Sequence, residues 1–82
     1  MNAMSEKLTY DDLFKTVFNV EDSDLNSDFV AAKIAKWDSI THLELISAIE
    51  DEFDIMLDTE DILEFSSYEA GKQVLKKYNV EL

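Results

Sequence analysis

Ser39 and His42 have the residue types and the spacing of a nucleophile and its base. They lie three residues apart, which places them on the same face of a helix. An imidazole in that position can take the proton of a serine hydroxyl. No third residue is placed to orient the imidazole, and no glycine-rich loop follows to bind an oxyanion, so the pattern does not favour self-contained hydrolysis. We expect His42 to be a partly exposed surface residue.

Residues 22–28 begin like a calcium-binding loop, with Asp, Asp, Asn and Asp at alternate positions. The sixth position of such a loop needs glycine for a sharp turn and is Ser27 here. The twelfth needs a bidentate glutamate and is Lys33. Because a lysine puts a positive charge where the best metal ligand belongs, the sequence indicates a solvated acidic loop and no metal site.

Charge and composition restrict the classes of function. The 82 residues contain seven lysines, no arginine and nineteen acids, giving a net charge of −12. This charge repels phosphate backbones and anionic lipids, which argues against nucleic-acid binding and favours partners with basic surfaces. The absence of cysteine excludes disulfides, zinc–thiolate sites and a catalytic thiol. No stretch resembles a signal peptide or a membrane span, so we expect a cytoplasmic protein without membrane insertion. We also expect it to be a monomer.

The apolar periodicity predicts a single all-α domain over residues 1–82, a small bundle of three main helices and one short helix. Thr9 is the expected cap of the first helix. The apolar stripe of that helix comprises Tyr10, Leu13, Phe14, Val17 and Phe18. The polar stretch 19–28 is typical of a loop. Apolar residues that follow are expected to pin this long connection to the core: Phe29, Val30, Ile34 and Trp37.

The second helix is predicted to begin at Asp38, a preferred N-cap residue, and to end near Phe53. Its expected inward stripe is Ile40, Leu43, Ile46, Ile49 and Phe53, with Leu45 beside it. Its expected outer face carries Glu44, Glu50, Asp51 and Glu52. Residues 58–61, of which three are acidic, predict the first turn of a short helix. Ser66 and Glu69 predict a capping box at the start of the last helix, in which Gly71 indicates close packing.

The start of the second helix resembles the acyl carrier protein family. The family signature is Asp-Ser-Leu at this point, followed by an acidic amphipathic helix that ends in Glu-Glu-Phe. Here the residues read Asp38-Ser39-Ile40 and then Glu50-Asp51-Glu52-Phe53, and the resemblance covers nearly the whole chain. Ile40 replaces the usual leucine. Lys36-Trp37 replaces the usual glycine-containing approach, as in free-standing carriers of specialised pathways.

The resemblance implies that Ser39, flanked by the helix cap Asp38, carries 4′-phosphopantetheine, and that the thiol of this arm holds an acyl group as a thioester. It implies that the chain is not an enzyme, because a separate phosphopantetheinyl transferase attaches the arm from coenzyme A. The other implied partners are an acyl- or aminoacyl-loading ligase and acyl-processing enzymes with basic docking surfaces, in fatty-acid, polyketide or related specialised biosynthesis. The implied recognition residues are Ile40, Leu43, Glu44, Glu50 and Asp51.

Two alternatives to the acyl carrier stay open. An aminoacyl or peptidyl carrier, loaded by an adenylating enzyme, has the same fold, although the aspartate before the serine and the strong acidity favour an acyl cargo. A non-catalytic acidic adaptor of this fold would use Ser39 only as a helix cap. The mass of the protein after treatment with a transferase separates the adaptor from either carrier.

Overall fold

The computed structural model describes residues 8–80, which fold into four α-helices and one short 3₁₀ turn at Asp22–Asp24. The α-helices are α1 (Tyr10–Phe18), α2 (Ser39–Phe53), α3 (Thr59–Glu64) and α4 (Tyr68–Lys76). The predicted all-α bundle of three main helices and one short helix is confirmed. Across this range no helix combines the length and the apolarity that crossing a membrane requires.

Helix α1 begins where hydrogen bonds cap its first turn. The Thr9 hydroxyl accepts a hydrogen bond from the Asp12 N–H at 3.1 Å, and the Asp12 carboxylate accepts one from the Thr9 N–H at 3.0 Å. This reciprocal capping box satisfies two backbone donors that a helix start leaves without partners. The bond from the Thr9 backbone also lowers the pKa of Asp12. At the other end Asn19 takes the left-handed conformation, with φ 57°, that commonly ends a helix.

The core is built around Phe14, which is fully buried. Its ring centroid lies between 4.9 and 6.3 Å from those of six other aromatic side chains. They are Tyr10, Phe18, Phe29, Trp37, Phe65 and Tyr68. Aromatic pairs in tilted, edge-on or offset parallel arrangements contribute about 0.5–1.5 kcal/mol each beyond the area they bury. The predicted inward stripe of α1 is confirmed, with Val17 only partly buried.

The long connection between α1 and α2 is pinned to the core, as predicted. Phe29 and Trp37 are buried in the core, and Ile34 is partly buried against it. Val30 is partly buried but lies outside this core cluster. Val30 also forms an isolated antiparallel bridge with Ser67. Beside this bridge the Ala31 N–H donates to the Ser66 carbonyl at 2.8 Å, and the Tyr68 N–H donates to the Phe29 carbonyl at 2.9 Å. The connection is therefore attached to the start of α4 as well as to α1.

The predicted inward stripe of α2 is wrong in its first half. Ile40 and Leu43 are 70% and 58% exposed. The face that packs inward carries Leu45, Ile46 and Ile49, with two half-buried residues in the same register, His42 and Phe53. These five positions follow the helical spacing i, i+3, i+4, i+7 and i+11. Because the first inward position is a histidine, the pattern of apolar residues alone predicted the wrong inward face for the first half of α2.

The capping box predicted at Ser66 is also wrong, because α4 is capped by Ser67. The Ser67 hydroxyl accepts a hydrogen bond from the Ala70 N–H at 2.9 Å. The bridge to Val30 holds Ser67 in extended backbone, with φ −161° and ψ 167°. The helix consequently starts at Tyr68, whose side chain is buried in the core.

The short helix α3 is anchored to the end of α4 through Asp61, which is 5% exposed. Its carboxylate accepts hydrogen bonds from the Tyr78 hydroxyl and the Lys77 ammonium group, both at 2.5 Å. The Tyr78 oxygen in turn accepts one from the Asp58 N–H at 3.1 Å. A buried carboxylate is tolerated because a cation and a hydroxyl replace the water it has lost. The composition did not predict that one of these acids would be buried.

Replacement of Gly71 by alanine is expected to lower the thermal midpoint. A Cβ at this position would overlap the Tyr10 hydroxyl and the Phe65 ring. Overpacking of this kind costs about 1–3 kcal/mol, which exceeds the gain of about 1 kcal/mol that alanine brings to a helix interior. Thermal unfolding followed by circular dichroism measures the change. Gln73→Ala, at an exposed position of α4, is the control and should unfold no earlier than the wild type. A Gly71→Ala chain as stable as the wild type would show that the packing is looser than described.

The Asp61 anchor should make the fold sensitive to acid. Hydrogen bonds from Lys77 and then from Tyr78 hold the pKa of the Asp61 carboxyl below its usual range. A depressed pKa in the folded state means a stabilisation that is complete above the ordinary aspartate pKa of about 3.9. It is lost as the pH falls through the lower, folded value. Urea titrations from pH 6 down to about pH 3 should show a steeper loss of stability for the wild type than for Asp61→Asn.

Tyr78→Phe removes one of the two donors to Asp61 and should give an intermediate slope. Equal slopes for the wild type and Asp61→Asn would contradict this role of Asp61.

Candidate functional site

The start of α2 is fixed by Asp38. Its carboxylate accepts a hydrogen bond from the Thr41 N–H at 2.8 Å, and its carbonyl accepts one from the His42 N–H at 2.9 Å. The bond from the Thr41 backbone lowers the pKa of Asp38, because it stabilises the ionised carboxylate. The predicted N-cap role of Asp38 is confirmed by this geometry.

Ser39 is the first residue of α2 and is exposed. Since Asp38 caps the helix, the Ser39 hydroxyl is not used for that purpose. Ser67 gives the contrast, because it also lies at a helix start but its hydroxyl is the cap. The first turn of a helix presents backbone N–H groups and the positive end of the helix dipole, both of which favour an anion. The surroundings of Ser39 therefore combine an accessible hydroxyl with an environment suited to a phosphate ester.

One exposed face of α2 continues from Ser39. It carries Ile40, Leu43, Glu44, Ser47 and Asp51, all exposed. Four of the five predicted recognition residues thus lie on one face of a single helix with Ser39. Glu50 differs from these four, because it is half-buried and its carboxylate accepts a hydrogen bond from the Leu57 N–H at 2.9 Å. The expectation that Glu50 points outward is wrong. Glu52, expected on the same outer face, is also half-buried, and its carboxylate accepts a hydrogen bond from the Leu8 N–H at 3.0 Å.

His42 is partly exposed, as expected, but both nitrogens of its ring have hydrogen-bond partners that the sequence did not predict. The ring is half-buried, its Nδ1 lies 2.9 Å from the Trp37 Nε1 and its Nε2 lies 2.8 Å from the Ile62 carbonyl oxygen. Because both ring nitrogens are occupied, neither is free to take a proton from Ser39, and the nucleophile–base interpretation is wrong. The sequence held one signal for the inward placement, namely the register of His42 with Leu45, Ile46 and Ile49.

The acidic segment after α1 uses its carboxylates locally. Asp24 accepts a hydrogen bond from the Glu21 N–H at 3.1 Å, and Asp22 pairs with Lys15 at 3.0 Å. Lys33, the residue at the twelfth position of the calcium-like pattern, lies 3.8 Å from the Asp28 carboxylate. Between residues 8 and 80, no three His, Asp or Glu side chains are grouped in a way that could hold a metal ion.

A groove of about 1080 Å³ lies at the opposite end of the bundle from Ser39. Its lining includes Phe53, the last residue of α2, together with Tyr68, Lys72 and Val80. Phe53 is separated from Ser39 by most of the length of α2, about 20 Å at a rise of about 1.5 Å per residue. The groove is therefore not part of the site at Ser39.

Comparison with known families agrees with this geometry. The profile of the phosphopantetheine attachment site matches residues 11–70, from the first turn of α1 to the first turn of α4. Neither a curated protein nor a solved structure matches the chain significantly. Domains of the matched family bind 4′-phosphopantetheine covalently and act as carriers. Since the match covers well over half of the chain, this protein belongs to the phosphopantetheine attachment family of carrier domains.

Proposed function

We propose that Ser39 is the attachment point of the arm and that the chain is an acyl carrier protein. It would hold acyl groups as thioesters and present them, in the cytoplasm, to enzymes of fatty-acid, polyketide or related specialised biosynthesis. The observation that supports this best is the division of roles at the start of α2. Asp38 caps the helix, and the exposed hydroxyl of Ser39 is left for chemistry.

The residues around Ser39 fit the arm. Its phosphodiester is anionic, and the first turn of α2 offers backbone N–H groups and the positive end of the helix dipole. When bound, the arm supplies a thiol for thioester formation. The chain has no cysteine of its own, so no protein thiol competes for the acyl group. The role of Ser39 is to provide the ester oxygen, and that of Asp38 is to hold the helix start in place.

The charge distribution supports partners with basic surfaces. Residues 38–70 contain eleven acids and no lysine. Within this stretch, Glu44 and Asp51 lie on the exposed face of α2 that begins at Ser39. Long-range attraction to a basic surface raises the rate of encounter and is screened over about 8 Å at physiological salt. We therefore assign the steering of the transferase and of later partners to Glu44 and Asp51, and a structural role to Glu50.

Ser39→Ala should abolish loading. The wild-type chain, incubated with coenzyme A, magnesium and a transferase of broad specificity, should gain the mass of one phosphopantetheine. Ser39→Ala should gain none and should keep its helicity, because Asp38 retains the cap. Ser47→Ala, an exposed serine on the same face of α2, is the matched control and should load like the wild type. Intact-protein mass spectrometry and circular dichroism give both readouts.

Loading of the Ser39→Ala chain would contradict the assignment. If the Ser39→Ala chain is still modified but has lost helicity, Ser39 has a capping role.

Reversing the two exposed charges should slow loading in a salt-dependent way. Glu44→Lys combined with Asp51→Lys is expected to lower the second-order rate constant about tenfold at low salt, through the loss of electrostatic steering. The defect should shrink as salt is added, because surface charges are screened. The control makes the same charge change in the acidic connection, with Glu21→Lys and Asp28→Lys, and should retain most of the wild-type rate. Equal rates for both double variants at low salt would place the recognition surface elsewhere.

A further inference from the structure

The ring of His42 is held in one neutral tautomer by its two partners. The indole N–H of Trp37 can only donate a hydrogen bond, so the His42 Nδ1, 2.9 Å away, must accept it and carry no proton. The proton therefore resides on Nε2, which donates to the Ile62 carbonyl at 2.8 Å. The two rings meet edge to edge through this hydrogen bond, with centroids 6.1 Å apart and planes 29° from parallel.

The two partners of His42 belong to different parts of the fold. Trp37 is 7% exposed and packs against Phe14, Phe18 and Phe29, so the Nδ1 side of the ring is attached to the core. Ile62 lies in the last turn of α3, and its carbonyl also accepts a longer hydrogen bond from the Phe65 N–H at 3.4 Å. With only six residues, α3 is too short to be stable by itself and depends on such attachments. Its first turn is held by α4 through Asp61, and its last turn is held by α2 through His42.

An exposed apolar residue follows each of the two residues that the His42–Ile62 bond joins. Leu43 follows His42 and Leu63 follows Ile62, and these leucines are 58% and 75% exposed. A hydrogen bond of 2.8 Å between their neighbours links α2 to the last turn of α3 close to these two leucines. Ser39 lies one helical turn before Leu43 on α2. The apolar pair is thus placed next to the attachment serine only while α3 is held at this position.

Exposed acidic residues flank the two leucines in the sequence, although one of them, Glu64, lies 3.9 Å from the Lys77 ammonium group. Glu44 follows Leu43, whereas Glu60 and Glu64 lie on α3 with Leu63, and all three acids are exposed. An apolar centre with a negatively charged rim complements a surface that has an apolar contact area and basic side chains around it. Long-range attraction guides the encounter, and the apolar contact determines how long the complex lasts. The transferase is the partner that must approach Ser39 first.

We propose that His42 is a positioning residue for arm attachment. Its two hydrogen bonds hold α3 against the first half of α2, so that Leu63 and Leu43 form one docking surface beside Ser39 for the transferase. The inference rests on the proposed attachment at Ser39. It assigns His42 no contact with the reacting atoms.

Kinetics of arm attachment at saturating coenzyme A test this role, with the carrier as the varied substrate. His42→Leu removes both hydrogen bonds and is expected to raise KM about tenfold, equivalent to about 1.4 kcal/mol of docking energy, with kcat within about twofold of the wild type. Leu63→Ser is expected to raise KM about fivefold without changing the thermal midpoint, since the side chain is mostly exposed. Leu8→Ser, at an exposed leucine adjoining the distant groove, is the control and should leave KM unchanged.

The double variant His42→Leu with Leu63→Ser shows whether His42 acts by placing Leu63 or only by stabilising the fold. If His42 acts by placing Leu63, the two effects are coupled, and His42→Leu with Leu63→Ser should raise KM no more than His42→Leu alone. His42→Gln, whose amide can both accept and donate, should recover most of the wild-type KM. Nitrogen-15 NMR of the wild type should show a single tautomer with the proton on Nε2.

Three results would overturn the inference: an unchanged KM for Leu63→Ser, a double variant whose KM rise equals the product of the single effects, or a mixture of His42 tautomers. Leu63→Ser decides the matter even where His42→Leu does not fold. If the wild-type chain is never loaded, both the proposed attachment at Ser39 and this inference are wrong. If the wild type loads normally and Leu63→Ser has an unchanged KM, this inference is wrong and the proposed attachment at Ser39 is unaffected.

Discussion

The indole of Trp37 packs against Phe14, Phe18 and Phe29, and the geometry at Ser39 follows from that contact. The connection between α1 and α2 runs from residue 19 to residue 38 and has little regular structure. Such a segment would leave the start of α2 undefined unless its end were held in place. Burial of the residue immediately before Asp38 supplies that constraint. The helix therefore begins at one defined residue, with Ser39 directly after the cap.

The division of roles between adjacent residues is what makes this helix start suitable for attachment. A serine at the N-cap would have its hydroxyl engaged with a backbone N–H, as Ser67 has. Here the carboxylate of Asp38 takes that position, and the hydroxyl of Ser39 stays accessible in the positive field of the helix end. The same stretch of chain is strongly acidic, which repels nucleic acids and attracts basic partners. Local capping and overall charge thus favour the same use of this serine.

Much of the fold could be predicted from the sequence because its signals are local. The capping box at Thr9, the cap at Asp38 and the aromatic stripe of α1 each follow from residue type and spacing, and the structure confirms them. The errors arise where long-range contacts decide the outcome. The cap of α4 moved to Ser67 because a backbone bridge to Val30 holds that residue extended.

The same limit explains the errors at the candidate site. Ile40 and Leu43 were assigned inward because apolar residues usually are, but His42 occupies the inward position through two hydrogen bonds. The partner of its Nε2 is a backbone carbonyl twenty residues away, which no pattern in the chain reveals. Glu50 was placed outward on charge alone, whereas its carboxylate holds the loop after α2 through the Leu57 N–H. Polar residues with specific backbone partners are the ones that periodicity misassigns.

Fragmentation mass spectrometry of the loaded wild-type chain locates the residue that carries the arm. A peptide that spans the start of α2 can be fragmented to locate the added mass at a single residue. We expect the mass on Ser39 and on no other serine of the chain. Localisation of the mass to another serine, or a chain that stays unmodified by transferases that load other carriers, would contradict this expectation.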